Sequence, residues 1–185
     1  MSPSLPSWLE TRAQHLRARF RDPHHRGRVA GFLMLGAALL LPGAYLADRF
    51  HLGIDPQLVR CLPELRAVLI DRAARPTHIG ELVVFEALGL APAFADGTLL
   101  VKRLAALPGD RVEVSAAGVR VNGTEAARGL DLARQLGHAP EDFAGSYTMP
   151  PGTFLALGTD PLSLDGRYYG PLPDTLQRGT AMILF

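Results

Sequence analysis

Lys102 is the only lysine in the chain, which carries eighteen arginines. It lies in an apolar run, residues 98–107, whose composition predicts a β-strand. Side chains alternate between the two faces of a strand, so Lys102 shares a face with Leu100 and Leu104. Burial favours the neutral amine, and a neutral amine is a general base that arginine cannot replace. Two interpretations remain open: a general base, or a strand-edge lysine that reaches solvent.

The chain also has a single cysteine, Cys61, which Leu62 and Pro63 follow. A lone cysteine has no partner for an intramolecular disulfide, so it is either a buried, inert side chain or a free reactive thiol. A thiol that gives its proton to a neighbouring base becomes a nucleophile. The surrounding residues do not choose between these roles.

A third set of polar side chains lies near the C-terminus, where Ser163, Asp165 and Arg167 alternate between the flanking glycines Gly158 and Gly170. On an extended backbone these three side chains point the same way, and the last two form a local ion pair. Alone, this pattern is typical of a surface loop. No metal-ligand cluster and no phosphate-binding glycine loop is present in the sequence, because the six histidines are scattered.

The N-terminal region carries a candidate membrane segment. Residues 29–47 contain no charged side chain, and this length spans a hydrocarbon core. A retained anchor is favoured over a cleaved signal peptide, because a cut after Ala47 would put the bulky Tyr45 where a small residue is needed. We therefore expect a cytoplasmic basic tail (residues 1–28), a transmembrane anchor (residues 29–47) and an external domain (residues 48–185). The tail arginines are expected to set topology and contact anionic lipid rather than nucleic acid.

The elements that must position these side chains are mainly short strands. Residues 50–58 are expected to be a connector, and the valines of residues 112–121 predict a hairpin. Residues 126–136 have the apolar spacing of a helix. The remaining strands are predicted at residues 66–72, 81–87, 98–107, 154–157 and 180–185. The external region is thus predicted to be mainly β, with one helix.

Together these motifs resemble the type I signal peptidase family, in particular its branch of pilin-processing peptidases of conjugative transfer. Three segments match in order: residues 80–85 (GELVVF), residues 101–110 (VKRLAALPGD) and residues 163–170 (SLDGRYYG). The resemblance covers residues 29–185. It implies a signal-peptidase-like β-barrel or β-sheet catalytic domain after one N-terminal transmembrane helix, in the bacterial inner membrane with the catalytic domain in the periplasm.

One position departs from the family. Its nucleophile is a serine just after the membrane helix, followed in this branch by a proline two residues later. In this chain Cys61 occupies the position of the nucleophile and Pro63 that of the proline, and residues 48–101 contain no serine. The resemblance therefore implies a dyad of Cys61 and Lys102, because a thiol does the same chemistry as a hydroxyl.

The family also implies roles for the late motif. Ser163 would orient the Lys102 amine, and Asp165 and Arg167 would brace that region. The backbone amide of Cys61 is the expected oxyanion donor. The substrate would be an exported precursor protein, such as a pro-pilin, cut after small apolar residues at the surface of the lipid bilayer. No cofactor and no nucleic-acid partner is implied.

Three alternatives remain open. The first is an inactive family member that serves as a scaffold in pilus or secretion-system assembly. The second is a Cys–His hydrolase that uses His78 or His138, and the third is an anchored β-domain that binds a partner. The second alternative leaves the motif around Lys102 unexplained. The dyad predicts that the Cys61 sulfur and the Lys102 amine lie within or near hydrogen-bond reach in an apolar groove.

Overall fold

The computed structural model describes residues 23–54 and 61–184, and the chain divides into two compact units, Met1–Asp48 and Arg49–Phe185. Helix α1 (Pro23–Arg49) forms the described part of the first unit. Its segment Arg26–Arg49 is long and apolar enough to cross a membrane, by length and composition. The predicted span lies inside this segment. Most of the predicted basic tail, residues 1–22, lies outside the described residues.

The second unit is built from short strands in two sheets. The strands are β1 (Phe50–Ile54), β2 (Ala67–Asp71), β3 (Leu82–Glu86), β4 (Leu99–Ala106), β5 (Arg111–Ser115), β6 (Gly118–Val121), β7 (Thr124–Arg128), β8 (Gly145–Thr148), β9 (Thr153–Leu157), β10 (Leu172–Pro173) and β11 (Gln177–Ile183). Within the described residues, a seven-stranded sheet has the order β1-β2-β11-β3-β4-β9-β10, and a four-stranded sheet has the order β7-β6-β5-β8. The neighbouring strands in both sheets are antiparallel. The prediction of a mainly β fold is confirmed.

Helical structure in the second unit is short. It consists of helix α2 (Gly166–Tyr169) and the 3-10 turns Ala133–Leu136, Pro140–Phe143 and Asp174–Leu176. Helix α2 follows β9 through a loop, and Asp165 caps its first turn by accepting a hydrogen bond from the Arg167 amide. This loop and helix carry the late polar motif.

Strand β4 shows the alternation that its sequence predicts. Leu100, Lys102 and Leu104 are buried, whereas Val101 and Arg103 are half-buried. The buried leucines pack into an apolar cluster with Phe85 and Phe154, whose rings meet edge to face. The register pairs Arg103 with Leu157, the last residue of β9. The chain leaves the sheet immediately after this pair, beside Lys102.

The predicted valine hairpin is confirmed as β5 and β6, with Val112 paired to Val121 and Val114 to Val119. Gly118 begins β6 with a φ of +134°. A Cβ atom at this glycine would lie 2.1 Å from the Ala127 carbonyl oxygen, so a larger residue does not fit between the strands.

The predicted helix at residues 126–136 is wrong. Asn122 and Gly123 adopt positive φ values and reverse the chain, so that residues 124–128 pair with β6 as strand β7. Strand pairing therefore overrides the helical spacing of the alanines and leucines. Only Ala133–Leu136 keeps a helical turn, of the 3-10 type.

The predicted connector at residues 50–58 is also partly wrong. Phe50–Ile54 pairs with β2 as an edge strand, and residues 55–60 lie outside the described part. The final strand begins earlier than predicted, because Gln177 already pairs with Phe85. Phe185 lies outside the described residues.

Candidate active site

Lys102 is buried and hydrogen-bonded to a side chain of the late motif. Its side chain is 2% exposed, and its Nζ donates to the Oγ of Ser163 across 2.9 Å. Ser163 is itself 1% exposed. The alternative of a strand-edge lysine that reaches solvent is therefore wrong. The buried hydrogen bond holds the amine on the hydroxyl of the late motif.

Ser163 is held by a buried ion pair two residues further along the chain. Asp165 and Arg167 have no exposed side-chain surface, and the Arg167 Nη2 donates to the Asp165 Oδ2 across 2.6 Å. The Arg167 Nε donates to Oδ1 of the same carboxylate, so the contact is bidentate. Burial alone would lower the pKa of Arg167, but the hydrogen bond and charge of Asp165 outweigh it and raise that pKa.

The expectation of a surface ion pair on an extended loop is thus wrong. Asp165 is extended, but Arg167 lies in α2, so the three polar residues do not share one strand face. The Arg167 guanidinium can be buried because backbone carbonyl oxygens accept the hydrogen bonds that Asp165 does not. It donates to carbonyl oxygens of Arg128, Gly129, Gly158 and Asp160. The pair therefore joins β7, the end of β9 and α2.

Cys61 begins the described part of the second unit after β1, and it is half-buried with a free thiol. Leu62 and Leu65 directly after it are buried in an apolar cluster against β2 and β3. The Cys61 carbonyl oxygen accepts hydrogen bonds from the amides of Thr159 (2.9 Å) and Asp160 (3.2 Å). The cysteine backbone is thereby tied to the loop that carries Ser163.

Gly158 is where these contacts converge. Its amide donates to the Asp165 Oδ2 across 2.7 Å, and its carbonyl accepts from Arg167. A Cβ atom on Gly158 would lie 2.2 Å from the Ser163 Oγ and 2.7 Å from the Cys61 carbonyl oxygen. The partner of Lys102 and the backbone of Cys61 therefore meet within 3 Å of one point. The sequence marked Gly158 only as a flanking glycine, and its close contacts are visible only in three dimensions.

An open groove of about 400 Å³ lies beside Gly158 and Thr159. Apolar and polar residues both contribute to its walls, among them Ile79, Leu157 and Glu125. Cys61 and Lys102 do not line it, so the predicted apolar groove around the dyad remains a prediction. The groove is nevertheless lined by Thr159, whose amide donates to the Cys61 carbonyl oxygen.

The histidines of the Cys–His alternative lie at exposed positions. His78 is 81% exposed and has its Nδ1 3.4 Å from Glu81. His138 is 57% exposed, lies beside Asp142 and packs edge to face against Phe143. Lys102, in contrast, is buried against the late motif.

Three comparisons relate this chain to known proteins. The family model described as "Signal peptidase, peptidase S26" matches residues 53–185. A "Conjugal transfer protein TraF" from Agrobacterium fabrum is 28% identical over 172 residues, which cover 85% of this chain and 92% of that protein. A crystal structure of a signal peptidase I from Enterococcus faecalis is 23% identical, covers 58% of this chain and 97% of its own, and gives a TM-score of 0.37.

The family match extends from β1 to the last residue and includes Cys61, Lys102 and the late motif around Ser163. It covers more than half of the chain. The chain therefore belongs to the signal peptidase family, peptidase S26.

Proposed function

We propose that this protein is a membrane-anchored endopeptidase that removes signal-peptide-like segments from exported precursors, with Cys61 as the nucleophile and Lys102 as the general base. The observation that carries this proposal is the buried Lys102–Ser163 hydrogen bond, whose hydroxyl and the Cys61 carbonyl oxygen both lie close to where a Cβ atom on Gly158 would be. In this chain Cys61 stands where the family has its nucleophilic serine, and a thiol can perform the same step.

The reaction proceeds through an acyl-enzyme. The neutral Lys102 amine takes the proton of the Cys61 thiol, and the thiolate attacks the scissile carbonyl carbon. The carbon–nitrogen bond breaks, the leaving amine takes the proton back from Lys102, and a thioester to Cys61 remains. Water then attacks the thioester and releases the carboxyl product and the thiol. The backbone amide of Cys61 is the proposed donor to the oxyanion.

Ser163 orients the base, and the ion pair fixes Ser163. A lysine side chain has several rotatable bonds, so a hydrogen bond to a buried hydroxyl restricts its amine to one position. The loop between Gly158 and Arg167 is held in turn by the bidentate contact to Asp165. The Arg167 side chain donates six hydrogen bonds, two to the Asp165 carboxylate and four to backbone carbonyl oxygens, so this support has little freedom to move.

The proposed location follows from α1. Arg26–Arg49 is suited to a membrane span, and the arginines before it favour a cytoplasmic N-terminus. The catalytic unit then lies in the periplasm at the bacterial inner membrane, where the apolar segment of a precursor emerges. The similarity to a conjugal transfer protein supports pro-pilin as the precursor and pilus assembly as the setting.

Substitution of the dyad tests the proposal in cells that express the full chain together with a pro-pilin of the same conjugative system. Cys61→Ala and Lys102→Arg are each expected to abolish processing while the protein still accumulates in the membrane. Processing by Cys61→Ala at the normal rate would contradict the dyad. If the unsubstituted protein cleaves nothing but co-purifies with pilus components, the scaffold alternative replaces the peptidase.

A further inference from the structure

Arg103 directly follows Lys102 on β4, so its side chain projects from the other face of the sheet. Val101 shares that face and packs against the apolar cluster that contains Leu62. Because Leu62 follows Cys61, the segment after the proposed nucleophile packs against the face of β4 from which Arg103 projects.

Residues 62–65 form a tight turn directly after the proposed nucleophile. The Leu65 amide donates to the Leu62 carbonyl oxygen across 3.0 Å, and both leucines are buried. Pro63 occupies the second position of the turn, where its fixed φ is favoured. Glu64 occupies the third position and is exposed. A side-chain contact of Glu64 therefore constrains a rigid backbone close to the nucleophile.

Arg103 makes that contact. Its Nη2 donates to the Glu64 Oε1 across 2.7 Å, and its Nη1 donates to the Gly80 carbonyl oxygen across 3.0 Å. Burial alone would raise the pKa of Glu64, but hydrogen bonds from its own amide and from Arg103, together with the positive charge of Arg103, lower that pKa. The carboxylate is therefore ionised at neutral pH, and the contact is an ion pair.

The Cys61 backbone is thus held from two directions. Its carbonyl oxygen accepts hydrogen bonds from the Thr159 and Asp160 amides, which fix it to the loop of the late motif. The turn that follows it is fixed through Glu64 to the strand that carries Lys102. Arg103 and Lys102 are neighbours on this strand, so the second contact joins the two halves of the proposed dyad over a short path.

We propose that Arg103 and Glu64 are positioning residues, whose ion pair fixes the turn after Cys61 to the strand of Lys102 and so keeps the nucleophile and the base at a constant separation. This inference rests on the proposed function, in which these two residues form the dyad. An exposed ion pair adds little to stability, whereas a reaction rate is sensitive to small displacements of the reacting groups. Its effect is therefore expected in catalysis rather than in folding.

The test is a double-mutant cycle on the full-length protein in detergent micelles, with pro-pilin as the substrate. We expect Glu64→Gln to lower kcat about 5-fold with KM unchanged, which is the size that an exposed ion pair permits. Arg103→Gln should lower kcat at least as much, because it also loses the hydrogen bond to Gly80. The double variant should be no slower than Arg103→Gln alone, since both substitutions remove the same pair.

Glu86→Gln is the matched control. Glu86 pairs with Arg178 across 2.7 Å, and the two side chains are 33% and 36% exposed, against 39% and 37% for Glu64 and Arg103. This pair joins β3 to β11 and does not include the turn after Cys61. Glu64→Gln and Glu86→Gln should therefore have similar melting temperatures, and only Glu64→Gln should lower kcat.

Four outcomes would overturn the inference. The first is an unchanged kcat in Glu64→Gln, and the second is an equal loss in Glu86→Gln. The third is an additive loss in the double variant, which would give Glu64 and Arg103 separate roles. The fourth is a rise in KM at constant kcat, which would mean that the pair binds substrate.

Failure of the proposed function is detected separately. Processing by Cys61→Ala at the normal rate would disprove the nucleophile, whatever the kinetics of Glu64→Gln show.

Discussion

The Nζ of Lys102 and the Oγ of Ser163 are 2.9 Å apart and buried, although 61 residues separate them in the chain. A strand supplies the amine, and a loop fixed by an ion pair supplies the hydroxyl. A Cβ atom at position 158 would lie close to both this hydroxyl and the Cys61 carbonyl oxygen, so the two groups lie around the same glycine.

Removal of the hydroxyl should impair catalysis more than folding. Ser163→Ala leaves the Lys102 amine free to rotate and without its partner, and the lost hydrogen bond is worth about 1 kcal/mol or more in the transition state. We expect kcat for pro-pilin cleavage to fall at least about 5-fold, with little change in KM. Ser163→Thr keeps a hydroxyl and should retain more activity than the alanine variant. Equal activity of Ser163→Ala and the unsubstituted protein would exclude the orienting role.

Loss of the carboxylate should destabilise the catalytic unit. Asp165→Asn leaves the Arg167 charge buried without its counterion, which costs about 3–5 kcal/mol. Urea denaturation of the full chain in detergent micelles measures this difference in the free energy of unfolding. Glu125→Gln is the control, because Glu125 pairs with Arg128 at the surface and is expected to change stability by less than about 1 kcal/mol. Similar stability losses in both variants would show that burial does not set the strength of the Asp165 pair.

A methyl group at position 158 should disturb the site. Gly158→Ala places a Cβ atom 2.2 Å from the Ser163 Oγ, so that hydroxyl must move away from Lys102. We expect processing to drop strongly, by about 100-fold for a displacement of this kind. Gly145→Ala is the control, because no atom lies within 4 Å of the added Cβ and Gly145 has an ordinary φ. A fully active Gly158→Ala would mean that the close approach has no catalytic consequence.

Acid stability should depend on Asp71. A hydrogen bond from Arg49 is the main cause that lowers the pKa of Asp71 from 3.8 to about 2 in the folded protein. The unfolded chain therefore binds this proton first, and the stabilising contribution is present above pH 4 and is lost as the pH falls through about 2. Asp71→Asn should flatten the decline of thermal stability across this range, whereas Glu113→Gln should not. An unchanged decline in Asp71→Asn would assign it to other carboxylates.

The strand that carries Lys102 and the face on which it lies could be predicted from the sequence. Apolar alternation in residues 98–107 predicts a strand with the lysine on its buried face, and the structure places Leu100 and Leu104 there. This inference works because the period of a strand depends only on local geometry. The resemblance to signal peptidases added the family, which the match over residues 53–185 bears out.

The burial of Asp165 and Arg167 could not be predicted from the sequence. Two charged residues in a loop are usually solvated, and what buries this pair is a set of carbonyls from β7 and the end of β9. Those contacts are distant in sequence. The helix predicted over residues 126–136 failed for the same reason, because pairing with β6 decides the conformation of residues 124–128.

The most direct measurement is mass spectrometry of the acyl-enzyme. The purified full-length protein is mixed with pro-pilin, and the reaction is quenched in acid. The mass of the intact protein is then measured. We expect an adduct on Cys61 with the mass of the fragment before the cut, which hydroxylamine releases because it is a thioester. Cys61→Ala should show neither adduct nor cleavage, and Lys102→Arg should not form the adduct. Cleavage of pro-pilin by Cys61→Ala at the rate of the unsubstituted protein would show that Cys61 is not the nucleophile.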